Sequence, residues 1–367
     1  MTRPSMLVAN ANGKIGFHAA HLLAHEGFKV RALIGHPSER SRLLERAGIQ
    51  VLAGSLEDAA FLDRAFDGIQ RAFFCTPWSP RLLSASTLFA AMAQEHRLEA
   101  VVTLSQWLAD PANPSSHTRD TWLADRVFSW MPDVGAVIVN PGFFADNYLA
   151  GIEPIAQFGM FLMPLGEGLN APPSNEDIAR VVAGILRNPE PHLGKTYRPT
   201  GPALLSPHDL ASVFAKVLER RVIYKDVPWY LLAKVGKAIG LPAYQLEQLR
   251  WYVREYQQNA FAVGGPTDAV EAIGGHPPED FETILRRHIL QSPYVRRTPS
   301  SMLRAMAGLA RAMLTPLVDL EGQARVLQLP TLPEAPLAVQ SPRWLRGHGP
   351  SAKVAAEVPP ALERRQA

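Results

Sequence analysis

The chain of 367 residues is 47% hydrophobic and 19% charged, with a formal net charge of +3 and a pI near 9.0, which suits one or two soluble globular domains with a sizeable core. Its lysines and arginines are scattered and are not interleaved with aromatic residues, so nucleic-acid binding is not expected. A single cysteine, Cys75, and the lack of a signal-peptide pattern or of an apolar run of about 18 residues predict a cytoplasmic protein without disulfides, a metal site or a membrane span.

Short apolar runs alternate with helix-sized segments between residues 6 and 139. The runs are β-branched or aromatic and are bounded by Gly, Pro, Asn or Ser, which is typical of parallel strands buried on both faces. They cover residues 6–9, 30–34, 51–53, 72–75, 101–104 and 136–139. The predicted helices cover residues 14–26, 38–47, 57–66, 81–95 and 118–130. This alternation predicts a doubly wound parallel α/β sheet, in which ligands bind at the carboxyl ends of the strands.

The loop after the first predicted strand reads NANGKIG over residues 10–16. Gly13 and Gly16 have the spacing that lets a backbone approach a pyrophosphate at a helix N-terminus, although Asn10 stands where a glycine is usual. The alternative is that the two glycines serve packing only. The residues expected to bind a nucleotide here are Asn10, Asn12, Gly13, Lys14, Ile15 and Gly16.

Two further loops complete the predicted cofactor site. After the second strand, Gly35 and His36 are neither the acidic residue that favours NAD nor the arginine that favours NADP, so the choice between NAD(H) and NADP(H) stays open. Arg40 and Arg42 follow within reach of a phosphate, with solvated helix charges as the alternative. After the fourth strand, Thr76 and Pro77 are expected to line the cofactor ribose.

These segments carry a resemblance that runs from residue 6 to about residue 288. VANANGKIG, VRALIGHPSE, AGSLEDAAFLDRAFDGIQRAFFCTP, VVTLSQW and VNPGFFADNY occur in the order found in the NmrA-like family of atypical short-chain dehydrogenases, which the chain resembles. The resemblance implies an NAD(P)-binding Rossmann fold, in a family that includes quinone and dye reductases and redox-sensing regulators. The chain departs from the family pattern at Asn10, Gly35, Ser55 and Asn140, at or beside the cofactor edge of the sheet.

The usual Tyr-x-x-x-Lys pair of short-chain dehydrogenases is missing. The resemblance places His117 at the Tyr position, Thr121 at the Lys position and Asp125 one further turn along, all on one helix face. We expect His117 to donate a proton to a developing oxyanion, with a histidine that only bonds the backbone as the alternative. We expect Ser105 to polarise a carbonyl, with a hydroxyl that only caps the strand end as the alternative.

The loops after the fifth and sixth strands are predicted to form a pocket for a small hydrophobic substrate. By the resemblance, the segment after the sixth strand borders the nicotinamide and the substrate, and two tryptophans could wall the site. Core packing of these aromatic residues is the alternative. The predicted pocket residues are Trp107, Trp122, Phe143, Phe144, Asn147 and Tyr148.

The predicted organisation is a dinucleotide-binding domain over residues 1–150, a smaller and mainly helical substrate subdomain over 151–298, an amphipathic helical extension over 299–328 and a Pro-rich extended or disordered tail over 329–367. The extension has an apolar stripe, which we expect to dock on the body of the protein or on a second copy in a homodimer. Contact of residues 300–318 with a membrane surface is the alternative. The stripe consists of Met302, Met306, Leu309, Met313 and Leu317.

The predicted function is an NAD(P)H-dependent reductase of a small hydrophobic carbonyl, quinone or conjugated compound. The alternatives are a non-catalytic regulator that senses the dinucleotide and a redox-neutral isomerase or cyclase on the same scaffold. The missing Tyr and Lys favour the regulator, whereas the aromatic residues around the predicted pocket favour the reductase, because hydride transfer to a flat apolar acceptor needs mainly stacking walls and exclusion of water.

Overall fold

The computed structural model describes residues 3–76, 78–326, 328, 332 and 334–349. A seven-stranded parallel sheet has the order β3-β2-β1-β4-β5-β6-β8, and β7 pairs with β9 in a separate parallel ribbon. The strands are β1 Ser5–Val8, β2 Lys29–Ile34, β3 Gln50–Ala53, β4 Arg71–Phe74, β5 Ala100–Leu104, β6 Gly135–Val139, β7 Met160–Met163, β8 Thr196–Tyr197 and β9 Ile223–Asp226. The predicted doubly wound α/β fold is therefore confirmed.

Helices connect the strands and form most of the carboxyl-terminal half. The first eight are α1 Lys14–His25, α2 Glu39–Arg46, α3 Ala59–Phe66, α4 Leu82–Glu95, α5 Ser116–Ser129, α6 Ala145–Leu149, α7 Ile152–Phe158 and α8 Asn175–Arg187. The later ones are α9 Pro207–Leu218, α10 Trp229–Ala238, α11 Ala243–Gln257, α12 Ala269–Gly274, α13 Phe281–Gln291, α14 Pro299–Leu314, α15 Leu320–Val326 and α16 Pro342–His348. No described helix is long and apolar enough to cross a membrane.

The two faces of the large sheet have separate apolar cores. On one face, α1 and α8 cover the strands with residues such as Leu23 and Val182. On the other face, α3 and α4 pack through Phe66 and Phe89, whose ring centroids lie 4.8 Å apart. Because both faces are covered, the sheet is reached from solvent mainly at strand ends, and a ligand site is expected at the carboxyl end.

A third core unites the carboxyl-terminal half. It is built on aromatic residues of several elements, among them Phe161 of β7, Phe214 of α9, Tyr256 of α11 and Phe261. This half is mainly helical, as predicted. It lies against the loops after β5 and β6, since Trp107 and Phe143 of those loops belong to the same core. The domain boundaries near residues 150 and 298 stay predictions.

The extension and tail differ from prediction. Helix α14 packs through small residues, Ala305 and Ala312, while Met306, Leu309 and Met313 of the predicted docking stripe are exposed. Helix α14 therefore packs on α7 and α10 of the described body, but through these small residues and not through the predicted stripe, of which Met302 alone is half-buried.

The tail predicted as extended or disordered is corrected for residues 338–348. A short 3-10 turn at Ala338–Gln340 leads into α16, whose Trp344 is 2% exposed. Apolar periodicity is hard to detect in such a short helix, but a buried indole is enough to hold it in place. Residues 329–331, 333 and 350–367 of the predicted tail lie outside the described residues.

Candidate active site

Two adjoining cavities form one cleft along the carboxyl ends of the strands. The first, which we name the Asn10 cavity, has a volume of about 360 Å³ and is lined by Asn10, Ile34, Gly35, Gly54, Ser55 and Thr76, among others. The second, named the Ser105 cavity, has a volume of about 270 Å³ and is lined by Ser105, His117, Phe143, Phe144, Asn147 and Tyr252, among others. Thr76, Trp78 and Leu82 line both cavities, so an elongated ligand could span them.

The turn after β1 is compact because its glycines have no side chain. Asn10 has a left-handed backbone with φ of 50°, and its carbonyl oxygen accepts a 2.8 Å hydrogen bond from the Gly13 amide. A Cβ atom on Gly16 would lie 2.6 Å from that oxygen, and one on Gly13 would lie 3.0 Å from it. Asn is among the residues that tolerate this conformation, so the tight turn survives the replacement of the usual glycine.

The N-terminus of α1 lies directly after this turn. Gly13 is its N-cap and provides no side-chain hydrogen bond, and its first turn contains no acidic residue. The first amide groups of a helix have no partner within the helix and attract anions. Ile15 and Gly16, which carry two of these amides, are buried, and Asn10 is the residue of this turn that lines the Asn10 cavity. Binding of a pyrophosphate by these amides stays a prediction.

Side chains tie the first loop to the loop after β2. The Asn12 amide donates to the His36 carbonyl oxygen at 2.7 Å and accepts from the Ser38 hydroxyl at 3.0 Å. Arg40 donates to the Asn12 carbonyl oxygen at 3.1 Å. Gly35 and His36 are exposed, and no acidic side chain occurs between residues 34 and 38. The guanidinium of Arg40 is therefore a positive charge that follows this loop closely in sequence and contacts the turn after β1.

Other predicted cofactor residues have different surroundings. Lys14 forms an ion pair with Asp146 beyond β6, so its ammonium group has a protein partner. Thr76 lines the cleft as predicted, whereas Pro77 lies outside the described residues. Cys75 is buried beside Asn10, and burial raises the pKa of its thiol to about 11, as expected for a buried thiol rather than a nucleophile.

The two predicted catalytic residues line the same cavity. His117 lies in the first turn of α5 and is half-buried, with its ring centroid 5.9 Å from that of Trp78. Burial lowers the pKa of His117 to about 4. The imidazole is therefore neutral near pH 7, and it can donate a hydrogen bond but is not a reservoir of an ionisable proton.

Ser105 is held by a buried carboxyl group. Its hydroxyl lies 2.6 Å from Oδ2 of Asp125, two turns along α5 from His117. Asp125 is 4% exposed, and burial raises its pKa to about 7, even though the Ser105 hydrogen bond and the charge of Arg126 act in the opposite direction. The cleft thus has, directly behind Ser105, a carboxyl group that is partly protonated at neutral pH.

A network of side chains that the sequence did not predict borders the Ser105 cavity. Tyr252 of α11 donates to Oε1 of Gln106 at 2.6 Å, and the Gln106 amide donates to Thr121 at 2.6 Å. Gln248, one turn before Tyr252, donates to Thr118 at 3.1 Å. The i, i+4 spacing of Gln248 and Tyr252 in the sequence indicates that they share one helix face. Nothing in the local sequence indicates that α11 packs beside α5.

Three predicted pocket residues lie elsewhere. Trp107 is fully buried in the carboxyl-terminal core, where its indole donates to the Ala260 carbonyl oxygen at 2.9 Å. Tyr148 is also in that core, with its hydroxyl 2.8 Å from that of Tyr256. Trp122 is on the opposite side of α5 from the cleft, beneath the guanidinium of Arg343. Trp107 and Tyr148 are therefore core residues, which was the alternative interpretation, and Trp122 contacts Arg343 instead of the cleft.

Comparison with known proteins agrees with the fold. The model of the NmrA-like family matches residues 2–98. The predicted resemblance to the NmrA-like family is confirmed. An NAD(P)H azoreductase of Xenophilus azovorans is 27% identical over 286 residues, which are 77% of this chain and 97% of the azoreductase.

Two solved structures, of a reductase and of a transcriptional regulator, share the fold. An NADPH-dependent quinone oxidoreductase of Escherichia coli, complexed with NADPH, superposes with a TM-score of 0.68 at 18% identity over 78% of this chain and 99% of its own. The negative transcriptional regulator NmrA, complexed with NAD, superposes with a TM-score of 0.64 at 17% identity over 78% of this chain and 95% of its own.

Proposed function

We propose that this protein is an NAD(P)H-dependent reductase of a flat hydrophobic acceptor such as a quinone or an azo dye. The observation that carries the proposal is the continuous cleft, in which the glycine turn after β1 borders one end through Asn10 and an aromatic cavity containing Ser105 forms the other. The named relatives support it, since one is an NAD(P)H azoreductase and another an NADPH-dependent quinone oxidoreductase.

The Asn10 cavity is the part that would hold the nucleotide. The first amides of α1 would bind the pyrophosphate, and the loops after β2 and β3 would border the adenosine. Arg40 favours the 2′-phosphate of NADP(H), because it adjoins this loop and no acidic residue between residues 34 and 38 repels that phosphate. When bound, the dinucleotide supplies the hydride.

The Ser105 cavity is the part that would hold the acceptor. Phe143, Phe144 and Tyr252 provide its aromatic wall, and a flat ring stacked there would be shielded from water. The Ser105 hydroxyl and the neutral His117 ring are the polar groups that can donate hydrogen bonds to the oxygen or nitrogen that gains negative charge as the acceptor is reduced. His117 then acts as an orienting donor, and Ser105 supplies the proton.

The test is oxidation of NADPH, followed by absorbance, with a panel of naphthoquinones and azo dyes. We expect turnover by the wild-type protein, and Ser105→Ala should lower kcat by about 100-fold, the usual contribution of a positioned proton donor, while leaving the Kd of NADPH unchanged. His117→Gln should raise the KM of the acceptor without altering the pH dependence of kcat. The Cys75→Ser variant, at a buried thiol without a proposed chemical role, controls for general disturbance of the cleft.

The two alternative functions make different predictions in the same experiment. Tight NADPH binding with no turnover by any acceptor would contradict the reductase and support a dinucleotide-sensing regulator. Consumption of an acceptor without oxidation of NADPH would support the redox-neutral enzyme. The solved regulator that shares the fold shows that this scaffold also occurs in a protein of the regulatory kind.

A further inference from the structure

A third cavity lies behind Asp125, on the side away from the Ser105 cavity. It has a volume of about 150 Å³, and its polar lining includes Asp110, Asp125, Arg126, Asn140, Arg198 and His348. Thr196, Arg343 and Gly347 are exposed and also line it, so it opens to solvent between β8 and α16. We name it the rear cavity. Asp125 lines the rear cavity but not the Ser105 cavity, whereas Ser105 lines the Ser105 cavity but not the rear one.

The rear cavity has polar atoms that require partners. Oδ1 of Asn140 and the Nε atoms of Arg126 and Arg198 are buried, and so is Nε2 of His348, yet none has a hydrogen-bond partner among the described residues. Buried polar groups are rarely left unpaired, and water satisfies those that the protein does not. The cavity volume is several times that of one water molecule, and the four residues that carry these atoms all line it. It therefore suits a short chain of water molecules that ends at Asp125.

The charged groups facing Asp125 come from several elements. Arg126 is its neighbour on α5, Arg198 follows β8, and Arg343 belongs to α16. Asp110, from the loop after β5, accepts a hydrogen bond from the Ser341 hydroxyl. Two titratable rings are nearby, His348 in the rear cavity and His117 beyond Ser105, and burial lowers the pKa of both, so both are neutral near pH 7. These guanidinium groups favour the ionised form of Asp125, and the charge of Arg126 lowers its pKa, but burial has the larger effect and raises the pKa to about 7.

We propose that Ser105 and Asp125 form a proton relay that carries protons from the rear cavity into the Ser105 cavity. The 2.6 Å contact between the Ser105 hydroxyl and the Asp125 carboxyl connects the two cavities, which otherwise share no lining residue. Asp125 thereby takes the part of a proton source in a cleft that lacks the Tyr and Lys of typical short-chain dehydrogenases. The relay rests on the proposed reductase function.

Each reduction of an acceptor would move one proton through the relay. A hydride from the dinucleotide reduces a carbonyl, quinone or azo acceptor and leaves negative charge on its oxygen or nitrogen. The Ser105 hydroxyl gives its proton to that atom, and the protonated Asp125 carboxyl gives its own proton to the Ser105 oxygen, so that an Asp125 carboxylate remains. Water in the rear cavity then returns a proton to Asp125 from solvent. The raised pKa of Asp125, about 7, makes the protonated form available at neutral pH.

The first arm of the test needs no turnover. Infrared difference spectra of the full-length protein between pH 5 and pH 9 should show the carbonyl stretches of two carboxyl groups that titrate near pH 7, because burial raises the pKa of both Asp125 and Glu255 to about 7. The Glu255 band should remain in Asp125→Asn, and the other band is that of Asp125. The Asp125 band should vanish in Asp125→Asn, persist in Asp120→Asn, and titrate at higher pH in Ser105→Ala, because the Ser105 hydrogen bond lowers the Asp125 pKa. Asp120 is a matched control, since it is a half-buried carboxyl on the same helix. An Asp125 that stays ionised from pH 5 to pH 9 would overturn the relay.

The second arm measures kcat against pH with an acceptor that the wild-type protein reduces. We expect wild-type kcat to fall as pH rises through about 7. Asp125→Asn should lower kcat by about 100-fold and remove this pH dependence, and Asp125→Glu should restore part of both. Asp120→Asn should keep the wild-type profile. A structural role alone would change stability or KM but would not remove the pH dependence.

The outcomes separate the relay from the proposed function. If the wild-type protein reduces acceptors and Asp125→Asn keeps its kcat and its pH profile, the reductase stands and the relay fails. If the wild-type protein reduces none of them, the reductase fails and the infrared titration alone decides whether Asp125 is the protonated group that a relay requires.

Discussion

The two cavities of the cleft are built by different means. The Asn10 cavity depends on backbone: a left-handed residue, two glycines whose Cβ atoms would meet the Asn10 turn, and the free amides of a helix start. The Ser105 cavity depends on side chains from β5, α5, the loop after β6 and α11, which are joined by hydrogen bonds across 15 to 146 residues of sequence. The shape of the Asn10 cavity should therefore be sensitive to substitution at a few turn residues, whereas the shape of the Ser105 cavity should be sensitive to the packing of the helices that carry its side chains.

The largest effect is expected when the packing of α16 beneath the Ser105 cavity is removed. The Trp344 indole donates to the Trp107 carbonyl oxygen at 2.9 Å, and the Trp107 amide in turn donates to the Pro141 carbonyl oxygen at 3.0 Å. Trp344→Ala should cost about 3–5 kcal/mol of unfolding free energy, as truncation of a buried Trp usually does. It should also raise the acceptor KM while the Kd of NADPH changes less than about twofold.

Denaturant unfolding and NADPH titration of the same samples measure both effects. Arg343→Ala is the control on α16, because its guanidinium is exposed, and it should alter stability by less than about 1 kcal/mol. If Trp344→Ala weakened NADPH binding and acceptor binding equally, both cavities would depend on α16, and the comparison would fail.

The second test addresses the Asn10 turn. In Gly16→Ala the new Cβ would lie 2.6 Å from the Asn10 carbonyl oxygen, so the turn must shift. Such overpacking costs about 1–3 kcal/mol, and we expect the Kd of NADPH to rise by about 30-fold. Gly308→Ala on α14 is the control, since a Cβ there meets nothing within 4 Å and Gly308 lines neither cavity of the cleft. Calorimetric titration that finds the same Kd for both variants would exclude the proposed binding mode.

The smallest test concerns the choice of dinucleotide. If Arg40 pairs with the 2′-phosphate, Arg40→Ala should weaken NADPH binding by about fivefold, the usual scale for an exposed charged contact, and leave NADH binding unchanged. The difference should shrink at high salt. Arg42→Ala, an exposed change on the same helix, should have no effect. Equal losses for NADPH and NADH would assign Arg40 to the Asn12 turn alone.

Much of the nucleotide side could be predicted from the sequence. The apolar runs identified six strands of the large sheet, and the Gly13 and Gly16 spacing identified the turn. The same local signals placed Ser105 at the end of β5 and His117 at the start of α5. They could not reveal the protonation of His117, because its lowered pKa results from burial by elements remote in sequence.

By itself, then, the sequence determined the doubly wound sheet, the position of the cleft and the family resemblance, since strand alternation and turn residues are local properties of the chain. Only the tertiary structure decided that Gln248 and Tyr252 border Ser105, that Trp107 and Tyr148 are core residues, and that α16 packs beneath the cleft. These contacts join segments more than 100 residues apart, and their energy comes from burial and hydrogen bonds that exist only once the chain has folded.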